Sequence, residues 1–322
     1  MSYISVNNVE KSLGKKKVLK GISFEIGRGD FLGIIGPSGS GKTTLLRLLV
    51  KFFDPERGEI LLNNKPLKKE HIGYATQENS FYFDLTVMEN LMYFGRMNGL
   101  SKEETLKKSN KLLELVELTG NEKLLAAKLS GGMKRRLDLA ISLLADPRIL
   151  VLDEITTGLD PGLKKHILDI IKTINKKGVT TIYATHLLDE VEEYCNKVIL
   201  LSDGHILDST TPKKLKSEIK DFDIIKVKSE TKEYEPILKS LEKYDHRTQY
   251  HTADEQFLYI YTSDSARDVQ NLAHIFMTKK EELVSIDIEK PSLQKIFDIL
   301  KKNSICTPKE YQKMKNEANR NN

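Results

Sequence analysis

The sequence predicts an α/β domain built on a mostly parallel sheet, followed by a small α+β domain, and two patterns predict it. From Ser2 to about Ser217 short β-rich runs alternate with longer helical patterns: Phe31-Leu32-Gly33-Ile34-Ile35 precedes a helical stretch from Thr43 to Lys51, and Ile149-Leu150-Val151-Leu152 recurs further on. Such alternation marks helices that cross between parallel strands. After Asp221 the character changes, and the order becomes β-α-β-β-α-β, that of a ferredoxin-like unit.

Each element has its own reason. The apolar runs before Gly36 and Asp153 are continuous rather than alternating, as strands buried on both faces require, so they are central strands. Gly58 to Pro66 reads as an antiparallel strand and turn, which gives the first domain a separate antiparallel sheet. A helical insertion runs from Thr86 to about Gly120. In the second domain Phe222–Ser229, Arg247–His251, Gln256–Thr262 and Leu283–Ile288 read as strands, with helices at Glu235–Tyr244 and Ala266–Thr278. Pro291-Ser292-Leu293 opens a closing helix, with proline in the first turn where its missing N–H costs nothing. The domains are therefore expected at 1–219 and 220–302, with 303–322 a polar, Lys- and Asn-rich tail.

The 322 residues suffice for two domains, each with a core of its own. No apolar run approaches the roughly 18 residues needed to span a bilayer, and the N-terminus lacks a signal peptide's basic start and apolar stretch, so a cytoplasmic chain is expected. Two cysteines, Cys195 and Cys306, exclude a disulfide framework or a cysteine metal site. The net charge of +5 arises from 51 basic against 46 acidic residues, a near balance that gives no reason to expect a nucleic-acid partner.

Three motifs carry chemistry. Gly36-Pro37-Ser38-Gly39-Ser40-Gly41-Lys42-Thr43, with Thr44 next, follows a buried strand and opens a helix. Its glycines let successive N–H groups turn around phosphate oxygens at the positive helix end, Lys42 supplies a point charge to the β and γ phosphates, and Thr43 is placed for Mg²⁺. ATP and Mg²⁺ are the expected cofactors. Asp153-Glu154 closes a buried strand, at the sheet edge where ligands sit in such folds. Asp153 is suited to hold Mg²⁺ through water, and Glu154 to deprotonate an attacking water. Ser130-Gly131-Gly132 opens a further helix, Ser130 being able to cap an N-terminus that then faces an anion.

With these motifs the chain resembles the nucleotide-binding subunits of ABC transporters over roughly residues 2 to 217, most specifically in Leu129-Ser130-Gly131-Gly132-Met133-Lys134-Arg135-Arg136, which is similar to the family signature. The resemblance implies an ABC-type P-loop NTPase domain with parallel, antiparallel and helical parts. Two subunits, identical or closely related, would pair head to tail, so that Ser130, Gly131 and Gly132 meet the ATP held by Lys42 of the other copy. It implies further that Gln77 contacts Mg²⁺ and water and reports to the membrane partner, that His186 is the switch histidine near the γ-phosphate, and that Asp160 lies in the loop crossing the dimer interface. The chain would then be an ATPase at the cytoplasmic face of the membrane, driving polytopic permease subunits. Met133 to Arg136, with an appended domain ending Pro291-Ser292-Leu293, resembles the exporter class for drugs, lipids or polysaccharides.

Leu13 stands where the family usually stacks an aromatic ring on adenine, which puts base selectivity in question, and Ile155 stands where proline usually follows the glutamate. Phe81, Tyr82, Phe83, Leu85, Val87, Met88, Leu91, Tyr93 and Phe94 make an aromatic-rich stretch after Gln77, in a region that in the family receives a helix of the membrane subunit; about half are expected in the core. The alternative reading is a soluble ABC-type ATPase acting on ribosomes, DNA or metal-cluster assembly. The single nucleotide-binding domain, and the lack of a long coiled-coil insertion between Lys42 and Ser130, weigh against it. A P-loop kinase or GTPase ranks last, since it leaves Ser130-Gly131-Gly132 and His186 without a role.

Overall fold

A computed structural model describes residues 2–215, 223–244, 250–253, 256–262 and 264–289. The chain divides into two compact units after Pro212; the expected boundary at 219/220 lies outside the described residues.

The first unit opens with the antiparallel strands β1 (Ile4–Leu13) and β2 (Lys16–Ile26), then β3 (Phe31–Ile35), α1 (Lys42–Leu49), β4 (Arg57–Leu62), β5 (Lys65–Pro66) and β6 (Ile72–Ala75). The helical insertion contributes α2 (Val87–Met97) and α3 (Lys102–Leu115). After it come α4 (Gly131–Leu143), β7 (Ile149–Asp153), α5 (Pro161–Lys176), β8 (Thr180–Thr185), α6 (Leu188–Tyr194), β9 (Lys197–Ser202) and β10 (His205–Thr210). Strands β2-β1-β4-β5 form an antiparallel sheet, and β10-β9-β3-β8-β7-β6 form the main sheet, parallel except for β10.

Every residue of β3, β7 and β8 is buried, which is why their sequences run apolar without alternation. Successive residues of β7 feed two different cores. Ile149 and Val151 join Leu45, Leu48 and the antiparallel sheet, whereas Leu150 and Leu152 join the helical side with Leu91, Leu139 and Ile171. A side chain every second residue points to the same face, so one strand joins both layers. Thr86 and Ser101 each form a full capping box, with Glu89 and Glu104, at the starts of α2 and α3.

The second unit is β11 (Asp223–Ser229), α7 (Glu235–Tyr244), β12 (Tyr250–Ala253), β13 (Leu258–Thr262), α8 (Ser265–Lys279) and β14 (Leu283–Glu289). Its antiparallel sheet has the order β12-β13-β11-β14, the ferredoxin-like arrangement that the element order predicts. Ile225, Val227, Leu258 and Ile260 of the sheet meet Ile237 and Leu241 of α7 and Leu272, Ile275 and Phe276 of α8. The expected start of a strand at Arg247, the closing helix at Pro291 and the tail 303–322 fall outside the described residues. Among the described residues no helix is long and apolar enough to cross a membrane.

Candidate functional site

The loop from Gly36 to Gly41 joins β3 to α1. A Cβ on Gly36 would lie 2.2 Å from the Leu201 carbonyl oxygen, so only glycine lets β3 end against β9. Gly41 caps α1 at φ 110°, a left-handed conformation, and among the described residues no side chain accepts from the first N–H groups of the helix. Those donors are left for an anion. Ser40 Oγ is buried without a hydrogen-bond partner among the described residues, a further donor that phosphate oxygens would satisfy.

Lys42 is 5% exposed. Its ammonium donates to the carbonyl oxygens of Gly36 at 2.8 Å and Pro37 at 3.3 Å, and stands 3.3 Å from Glu154 Oε1. On the other carboxylate oxygen, His186 Nδ1 lies 3.4 Å from Glu154 Oε2. These three residues come together because β3, β8 and β7 are neighbours in the sheet: Lys42 follows β3, His186 follows β8 and Glu154 follows β7. Glu154 has φ 48°, and its N–H donates to the Ala184 carbonyl oxygen at 3.0 Å. A non-glycine residue held at positive φ is strained by about 1–3 kcal/mol and persists only where its surroundings over-determine it.

Thr43 Oγ1 donates to Asp153 Oδ1 at 3.4 Å, and the Tyr74 hydroxyl donates to Oδ2 at 3.5 Å. Burial, first, pushes the Asp153 carboxyl up; the Thr43 bond opposes this, the Glu154 charge adds to it, and Lys42 and Tyr74 oppose it. Burial, then the Asp153 charge, pushes the Tyr74 phenol up to about 12. Among the described residues no group of three His, Cys, Asp or Glu could hold a metal ion by itself. The Thr43 and Asp153 oxygens are nonetheless the right donors for Mg²⁺, which takes one or two protein oxygens and completes its shell with phosphates and water.

Ser130 is exposed and caps α4, its Oγ accepting from the Met133 N–H at 3.3 Å. Gly131 is exposed beside it, while Gly132 is buried, and a Cβ on it would lie 3.0 Å from both Leu163 methyl carbons. Asp160, also exposed, caps α5 by accepting from the Leu163 N–H at 3.0 Å, with Pro161 at the first position. Among the described residues no hydrogen bond links Ser130, Gly131, Gly132 or Asp160 to the loop at Lys42. Gln77 is exposed beyond the end of β6, and none links it to Thr43 or Asp153 either. Its loop is tied instead to α4: Arg135 donates to the Thr76 carbonyl oxygen at 3.3 Å, and Ser80 donates its N–H and hydroxyl to Asp138 Oδ1 at 2.9 and 2.8 Å.

Sequence reasoning missed Tyr74, Arg135, Asp138 and Glu190. Arg135 stands inside the signature run but had no role of its own there, the other three belong to no motif, and a polar residue inside a helical pattern gives no sign that it faces inward. Leu13, at the tip of the β1–β2 hairpin, is 46% exposed and Ile155 is buried. Of the aromatic-rich stretch, Phe81, Val87 and Leu91 are buried, while Tyr82, Phe83 and Tyr93 are exposed. Tyr82 and Tyr93 meet edge to face at 4.9 Å.

Residues 19–157 match the ABC transporter family. The chain is 35% identical over 230 residues to the linearmycin resistance ATP-binding protein LnrL of Bacillus subtilis, covering 70% of this chain and 74% of that one. It is 31% identical over 304 residues to the doxorubicin resistance ATP-binding protein DrrA of Mycobacterium tuberculosis, covering 91% and 92%, and 35% identical over 230 residues to Nod factor export ATP-binding protein I of Paraburkholderia xenovorans, covering 70% and 76%. Among solved structures, cbiO1 of Clostridium perfringens, part of an ABC transporter complex, superposes with a TM-score of 0.62 at 29% identity over 67% of this chain and 91% of that one. A dimeric bacterial ABC transporter cassette, MJ0796, does so with a TM-score of 0.60 at 28% identity over 65% and 98%. The chain belongs to the ATP-binding subunits of ABC transporters. It binds ATP, and its ATP hydrolysis is coupled to transport.

Proposed function

We propose that this chain is the motor of an exporter, pairing head to tail with a second ATP-binding subunit beneath separate polytopic permease subunits, at the cytoplasmic face of the membrane. The observation that carries the chemistry is Glu154, its carboxylate held between Lys42 at 3.3 Å and His186 at 3.4 Å on a left-handed backbone. Gly36, Pro37, Ser38, Gly39, Ser40 and Gly41 cradle the phosphates, Lys42 neutralises the β and γ oxygens, and Thr43 and Thr44 lie at the first turn of α1. Thr43 and Asp153 would hold Mg²⁺, which supplies charge neutralisation of the phosphate oxygens when bound. Glu154 takes a proton from the water that attacks the γ-phosphorus, the bond to the β-phosphate oxygen breaks, and ADP leaves. With Nδ1 turned to Glu154, His186 has Nε2 left for the γ-phosphate. Gln77 joins the site on closure, and Ser130, Gly131, Gly132 and Asp160 act across the dimer.

Export is supported by the names of the relatives, two resistance proteins and an export protein, and by the likeness to the DrrA protein over 91% of this chain, second unit included. Leu13 offers an aliphatic surface rather than a ring to the base. The test is purification from native membranes. Recovery with a polytopic membrane protein is the expected result, and recovery only with ribosomes, nucleic acid or cytosolic proteins would overturn the transporter assignment.

A further inference from the structure

We propose that Glu190 is a positioning residue for hydrolysis, a buried carboxylate that holds the loop of Glu154 and the loop of His186 in register through the hydroxyls of Thr156, Tyr183 and Thr185. The inference rests on the reading of Glu154 as general base.

Glu190 lies in the first turns of α6 and is 8% exposed; Thr156, Tyr183 and Thr185 are buried more completely still. Its Oε2 accepts from the Tyr183 hydroxyl at 2.5 Å, from Thr185 Oγ1 at 3.0 Å and from Thr156 Oγ1 at 3.2 Å. The Thr156 and Tyr183 hydroxyls are themselves 2.8 Å apart. Burial, first, and then the Glu190 charge push the Tyr183 phenol well above its ordinary range, so it stays a donor. Glu190 Oε1 has no hydrogen-bond partner among the described residues. An ionised carboxylate is costly to bury unless it is hydrogen-bonded, so these hydroxyls are what make the site tolerable.

The donors come from the two places that matter for turnover. Thr156 belongs to the turn that begins at Glu154, whose carbonyl oxygen accepts from the Thr157 N–H at 3.0 Å. Thr185 directly precedes His186, and its Oγ1 also accepts from the Leu187 N–H at 3.0 Å, bracketing the histidine. Both loops therefore end on one carboxylate oxygen. A left-handed Glu154 needs such over-determination, because its own backbone preference would carry it elsewhere. A buried Glu that merely fastened α6 to β8 would have no reason to engage Thr156, which lies on neither.

The experiment measures steady-state kcat and KM, and ATP affinity at equilibrium, for the full chain carrying Glu190→Gln, Thr156→Val or Thr156→Ser. Glu190→Gln and Thr156→Val are expected to lower kcat at least tenfold while ATP affinity stays within about twofold, and Thr156→Ser, which restores the hydroxyl, to recover most of the rate. In a Glu154→Gln background, Glu190→Gln is expected to add little further loss, as for groups that act through one another. If Glu190→Gln does not fold, Thr156→Val and Tyr183→Phe, each removing one hydroxyl, carry the test. Unchanged kcat in a folded variant, or equal losses of kcat and ATP affinity, would overturn the proposal. Full turnover by Glu154→Gln alone would instead overturn the base assignment, so the two failures are distinct.

Discussion

Lys42 Nζ stands 3.3 Å from Glu154 Oε1, and neither group faces open water, the lysine being 5% and the glutamate 18% exposed. Charges so placed interact more strongly than at the surface. Lys42→Ala removes the phosphate's cation and leaves Glu154 without a cationic neighbour on that oxygen. Nucleotide affinity is expected to fall tenfold or more, the size of one charge-assisted hydrogen bond. Equilibrium titration with labelled ATP measures it, and full affinity in the variant would remove Lys42 from phosphate binding.

Glu154→Gln keeps the shape of the side chain and loses its basicity. Turnover is expected to drop by about 10² to 10⁴, with ATP still bound. A phosphate-release assay beside a binding titration separates the two effects; unchanged turnover would take Glu154 out of the mechanism.

Ser130 is exposed at the N-terminus of α4, with its own hydroxyl as the cap. An arginine there removes that cap, at about 1 kcal/mol, and places a long cation where the partner's nucleotide would dock. In the Glu154→Gln background Ser130→Arg is expected to abolish ATP-dependent dimerisation, read by size exclusion with and without ATP. A dimer of undiminished stability would show that α4 does not meet the partner.

Asp138 is 2% exposed, and burial, only partly offset by the Ser80 bonds and the Arg135 charge, pushes its carboxyl up to about 6. The folded protein therefore holds this proton more tightly than the unfolded chain does, and the contribution is whole below about pH 4 and lost as pH rises through 6. Against Asp138→Asn, which does not titrate, the parent is expected to lose about 2.5 kcal/mol of relative stability between pH 4 and 7.5, at 1.36 kcal/mol per pKa unit. Urea unfolding of both proteins across that range measures it; parallel pH dependence would mean that Asp138 ionises freely.

The sequence made legible whatever is local along the chain. The continuous apolar run of β7 showed burial on both faces, the glycines before Lys42 showed a phosphate-binding turn, and Thr86 and Ser130 showed where helices begin. Pairings across the sheet were not legible, because they depend on which strands lie side by side. Nothing in the run Thr181 to His186 says that Tyr183 faces the helical layer and reaches Glu190, or that β8 lies between β3 and β7. Asp138 reads as an ordinary polar position on α4, and its bonds to Ser80 arise from the packing of that helix against β6 and the loop beyond it. The resemblance supplied roles for Gln77 and Asp160 that a single subunit's geometry does not assemble.

The left-handed backbone at Glu154 sets fitness against durability. A glycine or asparagine would rest there with less strain, and a chain selected only for a higher melting temperature would drift toward one of them. The carboxylate at that φ of 48° marks a position where laboratory evolution for heat resistance is apt to yield a sturdier but idle protein, so screens for stabilised variants of this subunit should score ATP turnover alongside survival.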